Sequence, residues 1–321
     1  MSHFLHIVEL DGIGGMKELS YEELPKSVPK EGRLWVHLDR GMESAQPWLA
    51  SLEDLPSSVV DALFAEETRP RVDHIGDGLL LTLRGVNLNP NSSPTDMVSL
   101  RIWVTPHFII TMRRRRLLSI QDIFSELKQG TGPLSTSDIL TRLTKTLTVR
   151  MSGTIDTLED KLMDLEESMG EGIELSQRAL LVEKRLETVR LRRFLIPQKE
   201  AIAKLSVDHS GLFTEEQLVD IRETVNDLTR YLESLESLRE RSLFMQEEFV
   251  NLQSERMNAR MYVLSLLSGI FLPLSFLTGL FGINIGGMPG VDNGMSFWYF
   301  CIALVVLGGV QYLMMKKSRW F

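Results

Sequence analysis

Apolar and polar positions follow three successive patterns along this 321-residue chain. Short β-like apolar runs dominate residues 1–133. They are Phe4–Leu10, Arg33–Asp39, a pair around Gly76–Gly78, and Met97–Arg114, which turns at Thr105–Pro106–His107. Pro56–Glu67 has helical spacing with proline at its start, and Leu117–Lys128 is a helix ended by the Gly130–Pro133 break. Asn89–Thr95 is a loop rich in turn residues. These elements predict an α/β domain built on a mixed sheet.

From Ser135 the apolar positions recur with helical period. Ser137 or Asp138 is placed to cap a helix reaching about Met169, which Gly170 and Gly172 break. A second helix is expected from about Glu174 to Leu205, kinked at Pro197. Asp208–Gly211 is a turn. Thr214 followed by Glu216 and Gln217 resembles a helix start, and no Pro or Gly follows until Gly269. The third helix is therefore expected to run from Thr214 to near Phe281. At 1.5 Å per residue that is on the order of 100 Å.

The third pattern is continuous apolarity. Met261–Phe281 and Phe297–Met315 carry no charge and no histidine. A helix needs roughly 20 apolar residues to cross a membrane, and both runs meet that length. Arg256 and Arg260 precede the first run, and Lys316, Lys317 and Arg319 follow the second. The connecting residues 282–296 hold no Lys or Arg and one acid, Asp292. The positive-inside rule then puts both termini in the cytoplasm. Trp298, Tyr299, Tyr312 and Trp320 suit the interfacial aromatic belts. Three segments result: a cytoplasmic α/β domain (1–133), a cytoplasmic helical stalk or funnel (134–260) and a transmembrane domain (261–321). The last divides into spans 261–281 and 297–315, a periplasmic loop 282–296 and a cytoplasmic tail 316–321.

Composition narrows the function. The formal net charge of −8 argues against a nucleic-acid partner. The single cysteine, Cys301, excludes disulfides and zinc–cysteine sites within one chain. The N-terminus MSHFLHIVEL lacks a basic region followed by an apolar core, so no cleavable signal peptide is expected. There is no nucleophile–base pairing and no phosphate-cradling loop, and Gly12–Gly15 is a turn rather than a dinucleotide fingerprint. No catalytic residue, cofactor or enzyme activity is expected.

Candidate chemistry gathers at the membrane. The loop Gly279–Gly290 offers the amide of Asn284, five glycines including Gly282, Gly286 and Gly287, and Pro289. A flexible polar turn at a membrane mouth is a place where ions shed or exchange water. Two spans cannot enclose an aqueous path, so transport requires several copies. Packed helices repeat their contact face about every 3.5 residues. Stepping back from Ser275, that face holds Ser275, Leu272, Gly269 with Ser268, Leu264 with Ser265, Met261 and Asn258, then Ser254, Asn251 and Glu247. Around an axis these would form an amide ring at Asn258, apolar rings at Met261, Leu264 and Leu272, and a hydroxyl ring at Ser275. Apolar rings can gate by dewetting, and polar ones can replace part of an ion's water shell. Ordinary helix packing or lipid contact explains the apolar and small members equally well.

Neither span holds Asp, Glu or His, the groups that bind stripped metal ions in mid-membrane. The six histidines, His3, His6, His37, His74, His107 and His209, are scattered. A divalent ion crossing here would cross largely hydrated, guided by amide and carbonyl oxygens. The long helix carries a series of acids from Glu215 to Glu248. They are either a solvated face or a vestibule that concentrates cations. Glu247, with Asn251 next on the stripe, is the vestibule candidate. Arg113–Arg116 is either a solvent-facing strand-to-helix junction or a contact for anionic lipid or acids.

Two C-terminal spans, a long helix feeding the first, and a G-[MIV]-N tripeptide before a Met-Pro turn resemble the CorA-type metal ion transporters. Magnesium members carry GMN followed by MPE; here Gly282–Ile283–Asn284 precedes Gly286–Gly287–Met288–Pro289–Gly290. FLTGLFGINIGGMPG, with ETRPRVDHIGDG at Glu67–Gly78 and LRRFLIPQKE at Leu191–Glu200, is similar to the zinc-transporting ZntB branch. The resemblance implies a CorA-like funnel in a homopentamer of the bacterial inner membrane, surrounded by lipid. Each first span would line one central pore, and Asn284 would meet the hydrated ion at the periplasmic mouth. The transported ion would be Zn²⁺, with Cd²⁺, Ni²⁺ and Co²⁺ as similar cargo. Family pore positions then map to Asn258, Met261, Leu264, Leu272 and Ser275. The acid of MPE is absent, Asp292 being the loop's one carboxylate, and Ile283 replaces Met. The residues alone leave a magnesium channel open, as well as a membrane-anchored oligomeric scaffold or sensor. They also leave direction open, and proton coupling, for which the titratable candidates are Glu247, His209 and Asp292.

Overall fold

A computed structural model describes residues 6–169, 175–283, 288, 290 and 292–317. The chain divides into two compact units, Met1–Gln246 and Glu247–Phe321. The first unit is built on seven strands: β1 (His6–Leu10), β2 (Met16–Glu18), β3 (Leu34–Asp39), β4 (Arg71–Ile75), β5 (Gly78–Gly85), β6 (Val98–Val104) and β7 (Phe108–Arg113). They form one sheet in the order β2-β1-β3-β7-β6-β5-β4. Only β3 and β7 pair in parallel, so the sheet is mixed, as the succession of β-like runs and helices led us to expect.

Side-chain alternation makes this a three-layer domain. In β3, Leu34, Val36 and Leu38 join one core, with Leu49 of α1 (Ala45–Ser51) and Val59, Val60 and Leu63 of α2 (Ser57–Phe64). Trp35 points the other way and stacks on Phe124 of α3 (Leu118–Gln129), centroids 4.2 Å apart and planes 9° apart. That second core continues through α4 (Thr136–Ser168), α5 (Leu175–Leu205) and α6 (Glu215–Phe281) as far as Met245. The sheet and the first part of the helical segment thus share one core.

Two elements were not expected: β2, whose three residues MKE carry one apolar side chain, and α1, a short helix with Pro47 inside it. One cap moves. Ser135, not Ser137 or Asp138, caps α4: its hydroxyl accepts from the Asp138 amide at 3.1 Å, while the Asp138 carboxylate accepts from the Leu134 amide at 2.9 Å. Ser137 is already inside the first turn. Thr214 caps α6 with Gln217, each side chain accepting from the other's backbone amide. Helix α5 continues through Pro197. Phe4, Leu5, the glycine break at 170 and 172, and Glu174 lie outside the described residues. In the second unit, α7 (Ser296–Lys317) packs beside the end of α6.

Candidate ion path along the first span

Helix α6 is continuous over 67 residues, and its C-terminal part and α7 are each long and apolar enough to cross a membrane, with mean hydropathy 2.0 and 1.8. Neither window is buried within the single chain. The two helices meet along a defined seam. Beyond Met261 the half-buried positions of α6 are Leu266, Ile270, Leu274 and Leu277; on α7 they are Ser296, Phe300, Cys301, Leu304, Leu307, Gly308, Gln311 and Met315. Phe281 packs on Phe300 with ring centroids 5.0 Å apart. Glycines let the helices approach: a Cβ on Gly269 would meet the Met315 methyl at 3.6 Å, and one on Gly308 would meet a Leu274 methyl at 3.9 Å.

The candidate stripe faces the other way. At about 100° per residue, the directions of Met261, Leu264, Ser268, Leu272 and Ser275 centre roughly half a turn from the Leu266–Leu277 seam. Met261, Leu264 and Leu272 are 56%, 66% and 68% exposed, and Asn258, Ser275, Asn251 and Glu247 are exposed with them. Helix α7 therefore leaves this mixed polar and apolar face uncovered. Pro273 sits inside the helix one turn beyond Gly269. It has no N–H, so the Gly269 carbonyl loses its usual helical donor at the level of Ser268. Neither Pro273 nor Gln311 belongs to the face expected from the sequence, although the Gly269–Pro273 spacing signals the lost donor; the Gln311 side-chain oxygen is buried without a hydrogen-bond partner among the described residues.

The helix ends where expected. The Gly282 amide donates to the Thr278 carbonyl at 2.9 Å, and the Thr278 hydroxyl to the Ser275 carbonyl at 3.0 Å. Ile283 and Asp292 are exposed, and Met288 is half-buried. Asn284, Gly286, Gly287 and Pro289 lie outside the described residues. Gly290 has φ +91°, and a Cβ there would meet the Ser296 hydroxyl at 2.9 Å. Its carbonyl accepts from the Asn293 amide, and Asn293 in turn holds the Met295 amide at the start of α7.

Several acids of α6 are committed elsewhere. Asp220 pairs with Lys145, Asp227 with Arg230, and Glu236 with Arg192 and Arg239. Glu247 forms no ion pair among the described residues, where no trio of His, Cys, Asp or Glu gathers as a metal site either. The side-chain oxygens of this face include the amides of Asn251 and Asn258, the hydroxyls of Ser268 and Ser275, and the carboxylate of Glu247.

A family profile described as "CorA-like Mg2+ transporter protein" matches residues 30–317, most of the chain. The chain belongs to the CorA-like transporter family. It is 37% identical over 316 residues to "Zinc transport protein ZntB" of Pectobacterium carotovorum, covering 98% of this chain and 95% of that one. It is 38% identical over 319 residues to "Divalent cation transporter CmaX" of Pseudomonas aeruginosa, covering 97% and 95%. Its fold matches the solved full-length CmaX with a TM-score of 0.86 at 36% identity, over 99% of this chain and 98% of that one. As a CorA-family protein it is a membrane protein of metal ion transport. The family's CorA-type layout also accounts for the mixed-sheet domain, the long helix and the apolar C-terminal helix.

Proposed function

We propose that this CorA-family chain assembles as a homopentamer in the bacterial inner membrane and moves Zn²⁺, with Cd²⁺, Ni²⁺ and Co²⁺ as similar cargo, along a central path lined by α6. The observation that carries the reading is the exposed stripe on the side of α6 away from α7. A chain with two spans needs copies to enclose water, and this stripe is the face left for them. Asn258 offers an amide ring at the cytoplasmic end, with Asn251 and the unpaired carboxylate of Glu247 ahead of it. Met261, Leu264 and Leu272 form apolar constrictions that close by dewetting. The Ser268 and Ser275 hydroxyls provide oxygens between and above them. Gly282–Ile283–Asn284 forms the periplasmic mouth, where five amides meet an ion that keeps most of its water.

The zinc assignment rests on the similarity to ZntB. A magnesium channel is the second reading, favoured by the description of the family profile. Side-by-side Zn²⁺ and Mg²⁺ uptake into proteoliposomes of the purified full chain separates them, and flux of neither ion would leave only a scaffold. Repeating the assay with and without an imposed pH gradient decides coupling, whose titratable candidates are Glu247, His209 and Asp292. Asn284→Ala is expected to abolish flux while leaving the oligomer intact by size-exclusion chromatography. Undiminished flux in that variant would remove the amide ring from the account.

A further inference from the structure

The arginine run that follows β7 finds a use well away from the ion path. Arg114 and Arg115 line a cavity of about 490 Å³ together with Arg84 of β5 and Arg190, Arg193 and Phe194 of α5. Asp96 is the one acid on its wall. Five guanidiniums against one carboxylate make this wall strongly cationic in a chain whose net charge is −8. None of the five forms an ion pair with an acid among the described residues.

The arginines play two parts. Arg84 is pinned: its guanidinium donates to the Thr68 carbonyl at 3.1 Å, to the Met97 carbonyl at 2.7 Å and to the Thr68 hydroxyl. It lies 4.2 Å over the Phe194 ring. Burial and the nearby Arg193 charge both make its proton easier to lose, so the pocket disfavours its own charge when empty. Arg114, Arg115, Arg190 and Arg193 are exposed, and Arg193 lies 5.8 Å from the Phe194 ring centroid. A fixed half-buried guanidinium ringed by exposed ones suits phosphate oxygens, which the guanidinium fork matches in pairs. One carboxylate ligand would satisfy one fork; five forks suit a group with several phosphate oxygens.

We propose that this pocket binds a polyphosphate or phosphate-ester anion, bridging β5, the β7–α3 connection and α5. The site is independent of the ion path and holds whether or not the pore reading does.

The full-length protein in zwitterionic nanodiscs is titrated with inorganic pyrophosphate at constant ionic strength, following binding by calorimetry and thermal unfolding. A parallel arm uses nanodiscs containing phosphatidylglycerol and no pyrophosphate, so a soluble anion and a lipid headgroup give separate signals. Saturable stabilisation in either arm is expected. Arg114→Gln with Arg190→Gln should weaken it by on the order of tenfold or more, with unfolding in chloride buffer unchanged. If that pair fails to fold, Arg115→Gln with Arg193→Gln serves the same comparison. No saturable effect in either arm, or an equal effect in the folded variants, overturns the proposal. So does a variant whose only defect is loss of the oligomer, since acids of a neighbouring copy would then fill the pocket.

Discussion

Gly290 stands where the magnesium members of the family carry an acid, and its backbone explains why an acid is hard to accommodate here. At φ +91° an L-residue is strained by about 1–2 kcal/mol, and a new Cβ must also displace the Ser296 hydroxyl 2.9 Å away. Gly290→Ala should therefore destabilise this corner by about 1–3 kcal/mol. Gly294 is the internal control. It lies in the same connection, has no left-handed φ, and its Cβ position is open space. Gly294→Ala should be neutral or stabilise by about 0.4–1 kcal/mol, because it restricts the unfolded chain. The gap between the two variants is thus about 1–4 kcal/mol, which thermal unfolding of the full-length protein in detergent resolves as a few degrees. Gly290→Glu should carry the same backbone cost as Gly290→Ala. Equal melting of Gly290→Ala and Gly294→Ala would refute the claim that backbone geometry selects glycine.

Three other expectations follow from the fold. His37 is buried, its Nε2 accepts from the Arg113 Nε at 3.1 Å, and its Nδ1 meets the Thr111 hydroxyl at 2.8 Å, so it is held neutral. Burial, then Arg113 and His6, hold its pKa well below the usual value, while the unfolded chain takes up a proton near pH 6.5. Stability should fall as pH drops below about 6.5, by up to about 1.4 kcal/mol per pH unit, and His37→Gln should flatten that slope; an unchanged pH profile would count against the assignment. Arg101 is 1% exposed and donates to the Ala65 carbonyl at 2.6 Å just past α2. Burial, then Arg40, Arg84 and Arg71, lower its pKa to about 10, so it stays charged at neutral pH. Arg101→Met keeps the aliphatic stem but orphans that carbonyl, and should cost about 1–3 kcal/mol by thermal unfolding; wild-type stability would show the bond contributes nothing. Pro273→Ala supplies the backbone donor that the Gly269 carbonyl lacks, so thermal unfolding in detergent should show a more stable span; an unchanged or lower melting temperature would show that the carbonyl is already satisfied.

Much of the sheet could be read directly, because β3, β5, β6 and β7 are buried on both faces and so read as short, nearly continuous apolar runs bounded by turn residues. The failures have physical causes. Strand β2 has too little apolar surface to show a period, and α1 is shorter than two full helical repeats. Four consecutive hydroxyl and acid residues at Ser135–Asp138 are all plausible caps, and only the turn geometry selects Ser135. His37, Thr111 and Arg101 carry polar side chains on positions that the strand period marks as buried, and residue type alone gives no sign of the partners that satisfy them. The stripe on α6 was legible as a period of 3.5. What it lacked was the seam with α7, which says which face of α6 remains uncovered. The arginine pocket was invisible for a different reason: its residues come from three distant segments, and only Arg114 and Arg115 stand out as a run.

Cysteine accessibility along α6 tests the central claim most directly. Cys301 is the chain's one cysteine, so Cys301→Ser gives a silent background. Single cysteines are then placed on the stripe, as Leu272→Cys and Ser275→Cys, and on the seam, as Leu274→Cys and Leu277→Cys. Metal flux into proteoliposomes is measured before and after a charged methanethiosulfonate reagent. The ion path proposed here predicts block at the two stripe positions and unchanged flux at the two seam positions. Block at Leu274→Cys and Leu277→Cys with none at Leu272→Cys and Ser275→Cys would contradict it.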